Sequence, residues 1–224
     1  GFRGTLRQRS AKRPSSSAMT QARDRLGLKP LVLLFKRFAD FLRSRFAPQA
    51  LWKGLKLVAL DGSSAKVPDS KANRQKFGGP KSHRGRSGYP YLRFVTLVAV
   101  QTHLVLAAAV GAWSTGEVTL AMGLLASIEP GSLVLLDRGF LSYWMLRCIT
   151  QHRQSHFLVR GRRRLKIRKR LKFGPGDWLA EAIVPKRLRR LHPEMPERWE
   201  VRIIHYRIPG YRPSHLITSL LDPV

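Results

Sequence analysis

The sequence predicts a mixed α/β fold in which one sheet is flanked by helices. Three observations carry this. Short apolar runs bounded by turn residues recur from Leu55 onward, and helix-period segments fall between the later runs. Two runs, LKLVALDG over residues 55–62 and LVLLDRG over residues 133–139, place a carboxylate after the apolar stretch in a chain that has few acids.

Residues 1–17, GFRGTLRQRSAKRPSSS, are basic, serine-rich and aperiodic, which predicts a disordered arm. AMTQARDRLGLKP reads as a short helix stopped by Gly27, with Pro30 opening the next one. There Leu31, Leu34, Phe35, Phe38 and Leu42 share one face while Lys36, Arg37, Asp40 and Arg43 take the other, and the helix ends before Pro48. A helical N-terminal segment thus covers residues 18–50. LKLVAL is a buried strand, and a basic Gly/Pro-rich loop runs from it to Gly88. YLRFVTLVAV and HLVLAAAV are strands joined by a turn at Gln101 and Thr102, so they pair antiparallel. STGEVTLAMGLLASI has a cap and a helical period, weakened at Gly123, and its Glu117 is read as a capping residue without a catalytic role. SLVLLD follows as a strand after the Pro130-Gly131 turn, then SYWMLRCITQHR as a helix and SHFLVR as a strand.

A three-strand meander followed by right-handed crossovers sets the fourth strand beside the first and parallel to it. This is the ribonuclease-H-like arrangement, predicted over residues 51–160. It puts Asp61 and Asp137 at the carboxyl ends of adjacent parallel strands, at the crevice where open α/β sheets bind ligands. Two carboxylates in a desolvated crevice stay ionised only with a cation between them. Mg²⁺ or Mn²⁺ suits the position, because these hard ions take carboxylate oxygen and leave room for phosphate and water. Two such ions about 3.5–4 Å apart serve in-line phosphoryl displacement, so the pair predicts strand cleavage. On residue type alone Asp-Gly and Asp-Arg-Gly are better read as plain turn residues. Their predicted adjacency, in so basic a chain, is what favours the metal site.

The charge balance is 42 Lys+Arg against 13 Asp+Glu, a formal net charge of +29, which self-repels unless a polyanion neutralises it. Nucleic acid is the leading partner. The longest apolar run, residues 104–113 with Gly111 inside it, is too short to span a membrane, and neither a dominant basic amphipathic helix nor a secretory segment is present. One cysteine, Cys148, excludes an internal disulfide and a multi-cysteine zinc site and fits a reducing cytoplasm; it is read as a packing residue. His152 and His156 have no Cys or carboxylate nearby in sequence to complete a zinc site, so they are read as structural or surface residues. The start at Gly1 and the end at Val224 in mid-pattern read as a fragment.

LDGSSAKVPDSKANRQKFG, GYPYLRFVTLVAVQTHLVLAAAVGAWSTGE, LVLLDRGFLSY and GYRPSHLITSLLDP together resemble the DDE-type transposases of bacterial insertion sequences, in the insertion-sequence-four family. The likeness covers about residues 50–224, and AMTQARDRLGLKPLVLLF resembles the helical segment before the core. The resemblance implies a ribonuclease-H-like mixed sheet with flanking helices and an inserted β-rich subdomain, here residues 161–224 and incomplete at its C-terminus. It implies three metal-binding acids that cut transposon ends and join them to target DNA, with Asp61 as the first and Asp137 as the second. The family's third acid is a Glu on a helix downstream of a segment like LITSLLDP, hence beyond Val224. Glu200, in ERWE, lies upstream and runs into a period-2 strand, so it is rejected for that role. The function expected is a DNA transposase core, bacterial, cytoplasmic and nucleoid-associated, with room for a homodimer in a synaptic complex. The alternative is a catalytically inactive DNA-binding remnant.

The run RGRRRLKIRKRLK supplies Arg160, Arg162, Arg163, Arg164, Lys166, Arg168, Lys169, Arg170 and Lys172 as the DNA-binding set, and Leu165 and Ile167 among them suggest a strand with a basic face. Arg138 joins that set, with a phosphate or a salt bridge as its partner. GGPKSHRGRSG is a second basic loop without nucleotide-binding spacing. Trp178 and Trp199 are read first as packing residues and second as base-stacking platforms.

Overall fold

Ser15 supplies a helix cap, its hydroxyl accepting from the Ala18 N–H at 3.2 Å, and α1 (Ser16–Leu26) follows, closed by Gly27 at φ 67°. Helix therefore begins at Ser16 and Ser17, inside the stretch expected to be an arm. The computed structural model describes residues 14–46, 51–82, 85–86, 88–151, 153–162 and 166–223, so the expected arm otherwise lies outside them, as do His152, Arg163, Arg164 and Leu165. Contacts divide the chain into two units, Gly1–Phe38 and Ala39–Val224. α2 (Lys29–Phe46) is the second helix, and Leu31, Leu34 and Phe38 of its predicted apolar face are exposed.

In the second unit β1 (Leu51–Trp52) turns into β2 (Leu55–Lys66) through Lys53 and Gly54, both at positive φ, the geometry of a tight two-residue hairpin. β2 does not stop at Leu60. It continues as GSSAK to Lys66 because β5 (Tyr91–Ala99) pairs with it antiparallel over its whole second half. Between them lie α3 (Lys71–Phe77), capped by Ser70, and the short pair β3 (Lys81–Ser82) and β4 (Gly85–Arg86), where sequence predicted only a loop. β6 (Leu104–Ala112), α4 (Glu117–Met122), β7 (Ser132–Leu136), α5 (Tyr143–Gln151) and β8 (His156–Arg160) complete the predicted order. α4 is shorter than expected, since Gly123 ends it and a separate 3₁₀ turn covers Leu125–Ser127. β9 (Ile167–Gly174), β10 (Asp177–Ile183), α6 (Lys186–Leu191), β11 (Arg198–Tyr206) and β12 (Ser214–Thr218) follow.

The main strands form one sheet in the order β6-β5-β2-β7-β8-β12-β11-β10-β9, with β1 also paired to β2. β2, β7 and β8 are parallel neighbours and the remaining pairs are antiparallel, so the meander and crossovers give the ribonuclease-H-like topology. The strands after β8 extend this same sheet, because β12 pairs with β8 through Thr218 opposite Leu158. The core is likewise continuous: Leu60, Leu97, Val134, Met145, Ile149 and Phe157 pack in one cluster with Ala180, Val201 and Ile217.

Two ionic clusters fix the edges of this unit. Asp177 receives both the Nε and one terminal nitrogen of Arg202, the planar pairing that best matches a carboxylate, and Arg202 also donates to the Asp222 carbonyl. At the starts of β2 and β7, Glu129 pairs with Lys56 and, at 3.3 Å, with Arg43. The Lys56 hydrogen bond, with help from Arg43, holds the Glu129 carboxyl below the usual range. A group lowered on folding stabilises above its unfolded pKa, and that contribution is lost as pH falls through the folded value. Glu129→Gln is expected to cost about 1 kcal/mol at pH 7, discounted for partial exposure, or roughly 2–4 °C in melting temperature. The difference from the parent chain shrinks as pH falls below the ordinary carboxylate range and closes once the folded value is passed, which melts measured across an acid pH series would check.

Candidate active site

Leu60 of β2 stands opposite Leu136 of β7 in the parallel pair. The next residue on each is an aspartate. Asp61 and Asp137 are therefore side by side across one strand spacing of about 4.8 Å, and strand alternation running in step puts both side chains on the same face. Asp137 keeps an extended backbone, φ −74° and ψ 166°, before a 3₁₀ turn over Arg138–Phe140. Although it occupies the cap position of that turn, its side chain makes no capping hydrogen bond, and among the described residues Asp61 accepts only from its neighbour's Gly62 N–H at 2.9 Å. Neither carboxylate is engaged as a turn residue would be.

Two sequence expectations need correction. Asp61 is not at the end of its strand but within β2, opposite Thr96 of β5. Both aspartates are also exposed, so they face solvent and not a desolvated crevice. Among the described residues no three His, Cys, Asp or Glu side chains form a group that could hold a metal. The donor chemistry still suits Mg²⁺, an ion usually held by one or two carboxylates and otherwise by water and substrate phosphate.

Phe140, 2 % exposed, anchors the turn that follows Asp137 in the core. Arg162 braces the same turn, its Nε donating to the Arg138 carbonyl at 3.2 Å and its terminal nitrogen to that of Gly139 at 3.4 Å. Continuing across the sheet, Leu135 aligns with Leu158, Thr218 and Arg202. The level of Asp137 thus reaches Arg160, Leu216 and Ile204, with His215 and His205 opposite one another on β12 and β11. Burial first, then His205 and Arg138, hold His215 below the usual histidine range, so it is neutral at pH 7. Glu200 faces Glu181 four residues further along β11, three strand spacings from β7, which sets it well away from the aspartates.

On β9, Arg168, Lys169, Arg170 and Lys172 are all exposed, as is Lys166 just before it. Along β9 a register shift between the pairs Leu179–Leu171 and Ala180–Lys169 leaves Arg170 as the extra residue of a bulge. Lys169 and Lys172 consequently both reach Trp178, at 4.4 and 5.5 Å from its ring centre. Trp178 is therefore a half-buried base for two lysines, whereas Trp199 packs edge-on against Phe157 at 5.5 Å, as a core residue does. Arg160 donates to Ser214, and Arg170 lies 3.5 Å from Glu181. Cys148 is buried and its thiol pKa is raised by that burial, in keeping with packing. His156 sits beside Ser219 at 3.3 Å.

Sequence reasoning read Glu117 as a helix cap, but no side chain caps α4, and the carboxylate lies elsewhere. Built at Gly62, a Cβ would lie 2.8 Å from the Glu117 Cδ, and one built at Gly139 would lie 3.7 Å from its Oε2. The carboxylate thus rests between the backbones that follow the two aspartates. A signal was available, since a glycine inside a strand often marks a close approach by another group.

The family model for the transposase DDE domain matches residues 52–212. The chain belongs to the DDE transposase family. This transposase domain is 29% identical over 210 residues to the transposase InsG for insertion sequence element IS4 of Escherichia coli K12, covering 92% of the chain and 46% of that protein. It is 33% identical over 136 residues to the putative transposase InsZ of the same strain, covering 60% of the chain and 46% of the relative. The transposase domain therefore spans about half the length of these relatives. Among solved structures it is similar to a piggyBac transposase synaptic complex with hairpin DNA, at 8% identity and a TM-score of 0.44 over 75% of the chain and 34% of that one. Endonuclease V from Streptomyces avermitilis gives 8% identity and a TM-score of 0.30 over 81% and 75%. Among the described residues no helix is long and apolar enough to cross a membrane.

Proposed function

We propose that this chain carries the catalytic core of an insertion-sequence transposase, residues 51–160, and part of a β-rich insertion, residues 161–224, that grips DNA. The reaction is metal-dependent phosphodiester cleavage and strand transfer on double-stranded DNA, the transposon ends and the target. The observation that carries this reading is that Asp61 and Asp137 each directly follow the paired residues Leu60 and Leu136 of two adjacent parallel strands. A divalent cation, Mg²⁺ or Mn²⁺, held by these two carboxylates would supply positive charge to the attacking and leaving oxygens of the phosphate. The chain's own residues do the rest. The buried Phe140 and the Arg162 bridges keep the Asp137 turn in place, and Arg138 presents a guanidinium next to the acids for the scissile phosphate. Arg160, Lys166, Arg168, Lys169, Arg170 and Lys172 extend the positive surface along the sheet, with Arg163 and Arg164 assigned to it from sequence alone. Such a core acts at the bacterial nucleoid, as a homodimer in the synaptic complex.

The test is an assay of the full reading frame containing this chain on element-end DNA with Mg²⁺, resolving cut from joined products. Cut and joined DNA supports the proposal, and cutting without joining points to a nuclease. Binding without either supports a DNA-binding remnant. In the same experiments Lys169→Ala and Lys172→Ala are each expected to weaken binding equally across sequences. Each should flatten the log K against log salt slope by about 0.9, one neutralised phosphate apiece.

A further inference from the structure

The Glu117 carboxylate occupies the space a side chain at Gly62 would need and lies close to Gly139, on the two segments that carry the aspartates, and this placement is built into the fold. α4 lies close over β6 because Gly111 leaves room for Leu120, whose Cδ2 would be 2.9 Å from a Cβ there. Leu120 and Ala121 are buried, so α4 is fixed and its first residue is aimed along one line. That line ends at Gly62 and Gly139, the residues one and two places after the aspartates, where Glu117 Oε1 would meet one added Cβ at 3.2 Å and Oε2 the other at 3.7 Å. Gly62 does not have a left-handed backbone, so glycine stands there for space. The Glu117 side chain does not cap α4: Gly116 is the capping residue, and no cap hydrogen bond from a side chain exists. Among the described residues no cation or donor pairs with Glu117, although the chain has 42 Lys+Arg. A third negative charge at the aspartate pair raises their mutual repulsion, and a bound cation relieves it.

We infer that Glu117 is a positioning residue for the divalent ion of the Asp61 and Asp137 centre. This inference rests on the function proposed above. Since no three such side chains among the described residues converge as a ready cage, Glu117 acts from the second layer, accepting hydrogen bonds from the ion's hydration shell and adding its charge to the field.

Mn²⁺ titration of the 224-residue chain, read from the free-ion paramagnetic resonance signal, tests it. Glu117→Gln keeps the shape of the side chain and removes its charge. It is expected to weaken Mn²⁺ binding about 10-fold or more, within the range outer-shell partners contribute, while leaving the metal-free melting temperature unchanged or higher. Gly62→Ala keeps every carboxylate but pushes Glu117 aside, so it should reproduce most of that loss even if Glu117→Gln folds poorly. Wild-type affinity in both variants, with binding abolished in Asp61→Asn and Asp137→Asn, would overturn the role of Glu117 and leave the proposed function standing. Unchanged affinity in the two aspartate variants would instead remove the reading on which it rests.

Discussion

Asp61→Asn and Asp137→Asn, each made in the full reading frame, are expected to lower Mg²⁺-dependent cleavage by at least about a thousandfold. That exceeds the roughly 10–100-fold cost of outer-shell changes, because each substitution removes a charge that would touch the ion directly. Neither residue supports the fold. Both are exposed, Asp137 makes no cap hydrogen bond, and among the described residues Asp61 accepts only a neighbouring N–H, a bond an Asn carbonyl can also accept. Melting temperature should therefore stay within about 2 °C of the parent. DNA affinity without metal should hold or tighten slightly, since each change removes a negative charge from a surface meant for phosphate. Its salt slope should not change. Parallel loss of affinity and activity would mean that the residues act through the structure and not on the reaction. The checks are an endpoint cleavage gel, a salt series of binding isotherms and a thermal melt on the same preparations.

Phe140→Ala should show the opposite pattern. This ring is 2 % exposed, sits in the 3₁₀ turn three residues after Asp137, and belongs to the same cluster as Met145, Ile149 and Phe157. Removing it costs the transfer free energy of the ring and leaves a cavity, about 3–5 kcal/mol together. Against a typical total of about 5–15 kcal/mol this is a large share, and the melting temperature should fall by on the order of 10 °C. Activity should also fall below the melt, because the turn that holds Asp137 loses its buried anchor and keeps only its own backbone bonds and those from Arg162 among the hydrogen bonds of the described residues. Phe140→Leu, which refills much of the space, should recover most of both losses. Urea unfolding together with cleavage measured well below the melting temperature separates the stability loss from the positional one.

Much of this was legible because strands buried on both faces read as continuous apolar runs. SLVLL declares β7 this way, and the shorter FLV run marks β8, whose buried residues alternate. Less legible was the second half of β2, since GSSAK has little strand propensity and is extended because β5 pairs with it. KANRQKF and KRLRRL lack an apolar stripe, which is why α3 and α6 were not expected. Within the candidate site, Asp61, Asp137 and Arg138 carry sequence signals of their own. Glu117 has only the indirect signal of the in-strand Gly62, because its relation to that glycine depends on how α4 lies over the sheet, and residues 55 positions apart give no periodicity to read. The cluster of Lys169, Lys172 and Trp178 was hidden likewise, because it depends on a bulge at Arg170.

The central claim is that one divalent ion touches both Asp61 and Asp137. An anomalous difference map from crystals soaked in Mn²⁺ tests it directly, since manganese scatters anomalously where magnesium does not. A peak about 2 Å from a carboxylate oxygen of each residue is the predicted result. Carboxylates separated by more than about 12 Å, or a peak that contacts neither, would contradict it, because no ion of that size spans such a gap.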